Sequence, residues 1–228
     1  MNSQTRRVMA VVLATLLLGS ACSATTTEDD PWAIQLIDGL RGLFVGDRTD
    51  DTDGTTDAPP LDIQPGEVTV GGTPLPLLVD GVTDPAAGMP APEIQGFDFD
   101  GNPVGVINDG SSKAILFLAH WCPHCQEEVP RVQGWLDGGG GVGDVEIVSV
   151  ATSINADLPN FPPDEWLERE GWEPPVIVDV EDRIFNAYGG SGFPFWVFVD
   201  GGGRVVRRSA GELDIEILEA YLGELRAN

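Results

Sequence analysis

Residues 119–125, Ala119-His120-Trp121-Cys122-Pro123-His124-Cys125, decide how the rest of the chain is read. They hold two of the three cysteines and both histidines of the 228-residue sequence. Immediately upstream, Lys113 to Ala119 is an apolar run bounded by polar residues, the pattern of a buried central strand. Downstream a helix is predicted to about Leu136, kinked at Pro130 and ended by Gly138-Gly139-Gly140-Gly141. The Cys-x-x-Cys pair therefore falls at a strand's carboxyl end, where a helix starts. Two sulfurs so placed can cycle between dithiol and disulfide. A helix N-terminus and a neighbouring imidazolium both lower a thiol's pKa, which makes the first cysteine a good nucleophile and leaving group. The chemistry expected is thiol–disulfide exchange.

The formal charge of −25 and pI near 4.1 argue against nucleic-acid binding, because phosphates would be repelled. Hydrophobic content of 42% suits a folded core, while 29 Gly and 18 Pro predict long irregular stretches. Arg6 and Arg7 precede an 11-residue apolar run, Val8 to Leu18, too short to span a bilayer. Gly19-Ser20-Ala21 then leads into Cys22. Residues 1–21 read as an export signal, and both fates of that signal, anchoring or secretion, put the protein where disulfides form. With Cys22 lipidated or removed, only Cys122 and Cys125 remain, so no separate structural disulfide is possible.

Residues 22–89 read as an acidic, Pro/Gly-rich tether and arm, partly disordered, with Glu67 to Val70 as a candidate strand. A compact domain is expected over 90–228. It opens with a hairpin, Pro92 to Phe99 and Val104 to Ile107, around Asp100-Gly101. Val145 to Ala151 and Val176 to Asp179 read as further strands, Asp164 to Arg169 and Asp182 to Tyr188 as helices. Phe195 to Val199 and Arg204 to Arg208 read as a second hairpin. A last helix, Asp214 to Leu225, presents Ile217, Leu218, Tyr221, Leu222 and Leu225 on one face. The class is α/β: a central mixed sheet flanked by helices on both faces, with an N-terminal β-hairpin extension.

This order, with Trp121-Cys122-x-x-Cys125 early and Gly192-Phe193-Pro194 late, resembles the thioredoxin fold, and more narrowly the extracytoplasmic TlpA/ResA-like proteins. Ala91-Pro92 before the hairpin and Pro130 five residues after Cys125 match as well. The resemblance implies that Cys122 is the nucleophile, Cys125 the resolving thiol and Pro194 a cis-proline facing them. Phe193 would offer its backbone to a substrate chain, with Trp121 and Pro123 shaping the surface. Phe193 departs from the smaller or β-branched residue usual before that proline. The segment before Cys22 resembles a lipoprotein signal, although Leu18 stands four rather than three residues ahead of the cysteine. That resemblance implies a membrane-anchored lipoprotein; ordinary cleavage near Ala24 would instead release a secreted one.

His124, between the cysteines, is expected to stabilise the Cys122 thiolate and make the disulfide more oxidising, or else merely to fill the turn. The same Pro-His dipeptide occurs in the oxidase DsbA, a resemblance of motif only. His120 is expected as an exposed loop side chain. Leu116 stands where thioredoxin has a buried acid, so Glu128, three residues after Cys125, becomes the candidate base for Cys125; the alternative is a solvated charge on the helix face. No metal site is expected, since zinc needs ligands that the two histidines of one turn do not supply. No cofactor is expected beyond the redox-active Cys122–Cys125 disulfide. Partners would be protein thiols or disulfides and an unidentified membrane redox protein. Oxidation of secreted proteins is favoured over reduction, whether for cytochrome c maturation or for disulfide repair. A non-catalytic binding module on the same fold is the other class kept open.

Overall fold

In chain order the computed structural model, which describes residues 67–141 and 143–227, comprises β1 (Thr69–Gly71), β2 (Glu93–Phe97), β3 (Pro103–Val106), β4 (Ser112–Leu118), α1 (Pro123–Asp137), β5 (Val145–Thr152), α2 (Pro163–Arg169), β6 (Val176–Asp179), α3 (Arg183–Ala187), β7 (Phe195–Val199), β8 (Val205–Ala210) and α4 (Ile215–Ala227). The expected export signal, Cys22 and the acidic tether as far as residue 66 lie outside the described residues. Among the described residues, no helix is long and apolar enough to cross a membrane.

Five strands form the main sheet in the order β6-β5-β4-β7-β8. β5 pairs parallel with β4 and β6, while β7 runs antiparallel to both β4 and β8. The central strand β4 is apolar on both faces because both are covered. Successive strand side chains point to opposite sides, so Ala114, Leu116 and Leu118 face one core and Ile115 and Phe117 the other. The first core holds residues of α1, α2 and α4, including Val129, Trp166 and Leu222. The second holds Ile184 of α3, Ile94 of β2 and Val106 of β3. The α/β reading of a mixed sheet with helices on both faces is thus observed. Ile217 departs from the expected apolar face: it is exposed, and Leu218, Leu222 and Leu225 do the burying.

The boundary expected at residue 90 is corrected by the structure. β1 pairs with β2, extending the hairpin into a three-stranded sheet, β1-β2-β3. Residues 74–89 then lie on the domain rather than ahead of it. Leu75, Leu78 and Ala86 are buried in the second core. Leu75 and Leu78 donate backbone N–H groups to Ala187 and Gly189 carbonyls, at 2.8 and 2.9 Å. The clasp is Arg208 of β8, whose side chain is wholly buried. It bonds both Asp84 oxygens and the carbonyls of Pro76 and Tyr188. Gly189 allows this approach: its φ is +64°, and a Cβ there would lie 2.3 Å from the Pro76 oxygen.

Asp179, buried at the end of β6, accepts the N–H groups of Ile184 and Phe185 on Oδ2, at 3.0 and 3.1 Å. This bond fixes the start of α3 and places the Phe185 ring. Burial raises the Asp179 carboxyl above its ordinary range despite these bonds.

Candidate active site

β4 ends at Leu118, and the backbone turns at once, Cys122 N–H donating to the Ala119 carbonyl at 3.0 Å. Cys122 is the N-cap of α1, with φ −75° and ψ 121°, and Pro123 takes the first helical position. Proline suits that position because its missing N–H would have no partner there. The Cys122 side chain makes no cap bond, and its residue sits at the end of α1 where the free N–H groups and the positive end of the helix dipole lie. Cys122 retains 7% exposure, whereas Cys125, one turn further along, has none. Both are free thiols. Burial pushes the Cys125 thiol well above its ordinary range, and the neighbouring Cys122 and Glu128 add to the rise.

The Phe193–Pro194 peptide bond, immediately before β7, is cis. The Cys122 thiol donates to the Phe193 carbonyl at 3.7 Å. Around that contact the aromatics interlock. The Phe193 ring stacks on Phe185 with centroids 4.6 Å apart and meets Trp121 edge-on at 6.1 Å. Trp121 is itself held by its indole N–H donating to the Ser153 carbonyl at 2.8 Å. Trp121, Cys122, Pro123, Cys125, Phe193 and Pro194 are therefore drawn to one end of the sheet, from positions up to 73 residues apart.

His120 contradicts its expected exposure: it is 1% exposed. Its Nδ1 pairs with the Pro159 carbonyl at 2.7 Å and its Nε2 with the Asn155 N–H at 3.1 Å. The Asn155 N–H can only donate, so Nε2 accepts and Nδ1 carries the proton. His120 is thus a neutral rivet between the motif and the loop 153–162. Its own carbonyl takes the side-chain amides of Gln126 and Asn160.

The solvated alternative for Glu128 is also corrected, since the residue is fully buried. Oε1 accepts the Trp196 indole N–H at 2.8 Å, Oε2 pairs with Arg131, and both oxygens lie 3.3 Å from the Leu213 N–H. Burial raises its carboxyl above the ordinary range, against the lowering by Trp196 and Arg131. It stands one helical turn after Cys125, whose thiol feels its charge.

His124 is the open side of the motif, its side chain 66% exposed. Its Nδ1 pairs at 2.5 Å with Oε1 of Glu212, from the turn between β8 and α4. The other oxygen of Glu212 accepts from Arg131 at 3.0 Å. Sequence reasoning missed Arg131, Trp196 and Glu212. Arg131 was within reach, three residues after Glu128 on one helix face; Glu212 lies 88 residues from His124, and no local pattern announces it. Among the described residues, no group of three or more His, Cys, Asp or Glu side chains is arranged to hold a metal ion.

No protein-family model matches the chain. It is similar to the thiol-disulfide oxidoreductase ResA of Geobacillus thermodenitrificans, 26% identical over 142 residues, covering 62% of this chain and 79% of that protein. Similarity extends to the sporulation thiol-disulfide oxidoreductase A of Bacillus subtilis, 20% identical over 125 residues, covering 55% and 74%. In fold it resembles a thiol:disulfide interchange protein of the thioredoxin family from Chlorobium tepidum, with a TM-score of 0.50 at 24% identity over 61% of this chain and 97% of that one. StoA from Bacillus subtilis gives a TM-score of 0.50 at 19% identity, over 59% and 98%.

Proposed function

Because this chain is a TlpA/ResA-like member of the thioredoxin superfamily and a thiol–disulfide oxidoreductase, we propose that it exchanges a Cys122–Cys125 disulfide with protein substrates outside the cytoplasm. The observation that carries the proposal is the asymmetry of the two thiols. Cys122 caps α1 and keeps a sliver of exposure, 3.7 Å from the Phe193 carbonyl, while Cys125 is wholly buried one turn behind it.

In the donating direction, a client thiolate attacks Cys122 Sγ of the disulfide. The S–S bond breaks, a mixed disulfide forms, and Cys125 leaves as a thiolate that takes a proton. The client's second thiolate then attacks its own sulfur in the mixed disulfide and expels Cys122. Two electrons and two protons pass from client to protein. In the reverse direction the Cys122 thiolate opens a client disulfide, and Cys125, losing its proton, attacks Cys122 to release the reduced client. The Phe193 backbone beside Pro194 receives the client chain as a short β-bridge.

The imidazole between the cysteines and the export signal favour donation of disulfides to secreted proteins. Reduction is the second reading, favoured by the pairing of His124 with Glu212, which offsets the cation that would make the disulfide oxidising. Net direction follows from whichever membrane redox partner recharges the protein. Cys22, as a lipidated first residue of the mature chain, would hold it at the membrane.

The test is a pair of single variants offered a client peptide. Cys125→Ser accumulates a mixed disulfide through Cys122, while Cys122→Ser forms none and loses exchange. Full function in Cys122→Ser would instead establish the binding-module reading. A reduction potential near that of thioredoxin, with a Cys122 pKa above about 7, marks a reductant; the opposite pair marks a donor of disulfides.

A further inference from the structure

We propose that Glu212 is a positioning residue that sets the redox poise of the Cys122–Cys125 couple by holding His124 in a carboxylate–imidazole pair. The inference rests on the exchange reading above and adds to it a residue outside the motif.

Four side chains run in a line, each bonded to the next: His124, Glu212, Arg131 and Glu128. The line begins at the exposed residue between the cysteines and ends at the buried carboxylate beside Cys125. Glu212 is its hinge, because it uses one oxygen for His124 and the other for Arg131. It is therefore a fixed anchor rather than a swinging surface acid. The bonds from His124 and Arg131 hold its carboxyl below the ordinary range, so it stays ionised through neutral pH.

The consequence concerns the cation beside Cys122. A protonated imidazole one turn from a thiolate stabilises it, and with it the dithiol form, making the disulfide a stronger oxidant. Here that imidazole arrives with its own counter-anion. The field reaching Cys122 is that of a nearly neutral pair. The Pro-His dipeptide alone thus overstates how oxidising the couple is. The charged groups around His124 are Glu212 from the β8–α4 turn and, on α1 itself, Glu127, Glu128 and Arg131. Of these, Glu212 is the one bonded to the ring.

Glu212→Gln keeps the size and bonding capacity of the side chain and removes its charge. With glutathione as the probe, the equilibrium of the full domain is read at pH 5.5 and 8.0, bracketing the range in which imidazoles change charge. At pH 5.5 the variant shifts toward the dithiol by about tenfold, equivalent to a potential about 30 mV more oxidising. At pH 8.0 the shift shrinks to below threefold. In a His124→Ala background, Glu212→Gln moves the equilibrium less than twofold, since the pair it acts through is gone. Glu212→Asp behaves as wild type within threefold. Urea unfolding of each variant shows that all report on a folded protein.

An unchanged equilibrium in Glu212→Gln at both pH values overturns the inference. So does a shift that persists at full size without His124, which would make Glu212 act on the dithiol by another route. Those results leave thiol exchange intact. A wild-type protein that never equilibrates with glutathione overturns the exchange reading and this inference with it.

Discussion

The Cys122 thiol points at the main-chain carbonyl of Phe193, 3.7 Å away across the space between the start of α1 and the start of β7. The contact is to backbone, which leaves the Phe193 ring free to stack on Phe185 and to meet Trp121 edge-on. Replacing Phe193 by Ala removes the ring and keeps the carbonyl. Unfolding free energy should fall by about 2 kcal/mol, roughly half the cost of deleting a fully buried Phe side chain. The glutathione equilibrium should stay within about twofold of wild type, because the thiol's acceptor is unchanged. Urea denaturation and a glutathione titration check the two halves. A tenfold change in the equilibrium would show that the ring, not the carbonyl, governs Cys122.

Glu128 offers two effects of opposite sign on Cys125. As a base it would take the Cys125 proton during attack on the mixed disulfide; as a buried anion it helps keep that proton in place. Glu128→Gln separates them. Loss of a base slows collapse of a trapped glutathione–Cys122 adduct by about 100-fold, whereas loss of the anion alone speeds it. We expect slowing, read by rapid quench. Stability adds a second signature. The folded Glu128 carboxyl is raised, so the stability it contributes is fully present below its unfolded value and is lost as pH rises through the folded one. Glu128→Gln should abolish that decline above about pH 4.3, the ordinary glutamate value.

Much of this site can be read from the chain because its parts are local or periodic. Trp121 to Cys125 are contiguous, β4 and β5 are unbroken apolar runs, and Phe193-Pro194 directly precedes a strand. What stays hidden is set by partners far along the chain. His120 looks like a loop residue until Asn155 and Pro159 are brought to its two nitrogens. Residues 74–89, rich in proline, look like a tether until Arg208 anchors them from β8. Periodicity also overextends: Ile217 keeps helical spacing with Leu218 and Tyr221, yet it falls at the edge of the stripe and faces solvent.

His120 carries a prediction of its own. Its ring satisfies one carbonyl and one N–H of the loop 153–162, so His120→Ala orphans both and empties the space between them. The cost should be about 3 kcal/mol, combining unpaired polar groups with a cavity. Proteolytic cleavage should then concentrate in residues 153–162, where Leu158 and Phe161 are already exposed. The Cys122–Cys125 potential should move by less than about 10 mV, the equivalent of a twofold change in the equilibrium. Cleavage at wild-type rate would show that the loop is held by other contacts.

Asp84 and Arg208 provide the acid-sensitive joint of the fold. Burial pushes the Asp84 carboxyl up, but the bonds and charge of Arg208 and the Ala86 N–H outweigh it, and the group ends below its ordinary range. A carboxyl depressed by folding contributes stability above its unfolded pKa and loses it as pH falls through the folded one. Asp84→Asn leaves the Arg208 guanidinium buried without a counter-charge, and at pH 7 it should cost about 3 kcal/mol. The wild-type advantage should begin to fade below about pH 4, the ordinary aspartate value, and the two stability curves should draw together as the pH falls further. Urea unfolding across that range, followed by tryptophan fluorescence, measures the gap directly. A gap that stays constant down to pH 2 would mean that shape rather than charge fastens residues 74–89 to the domain.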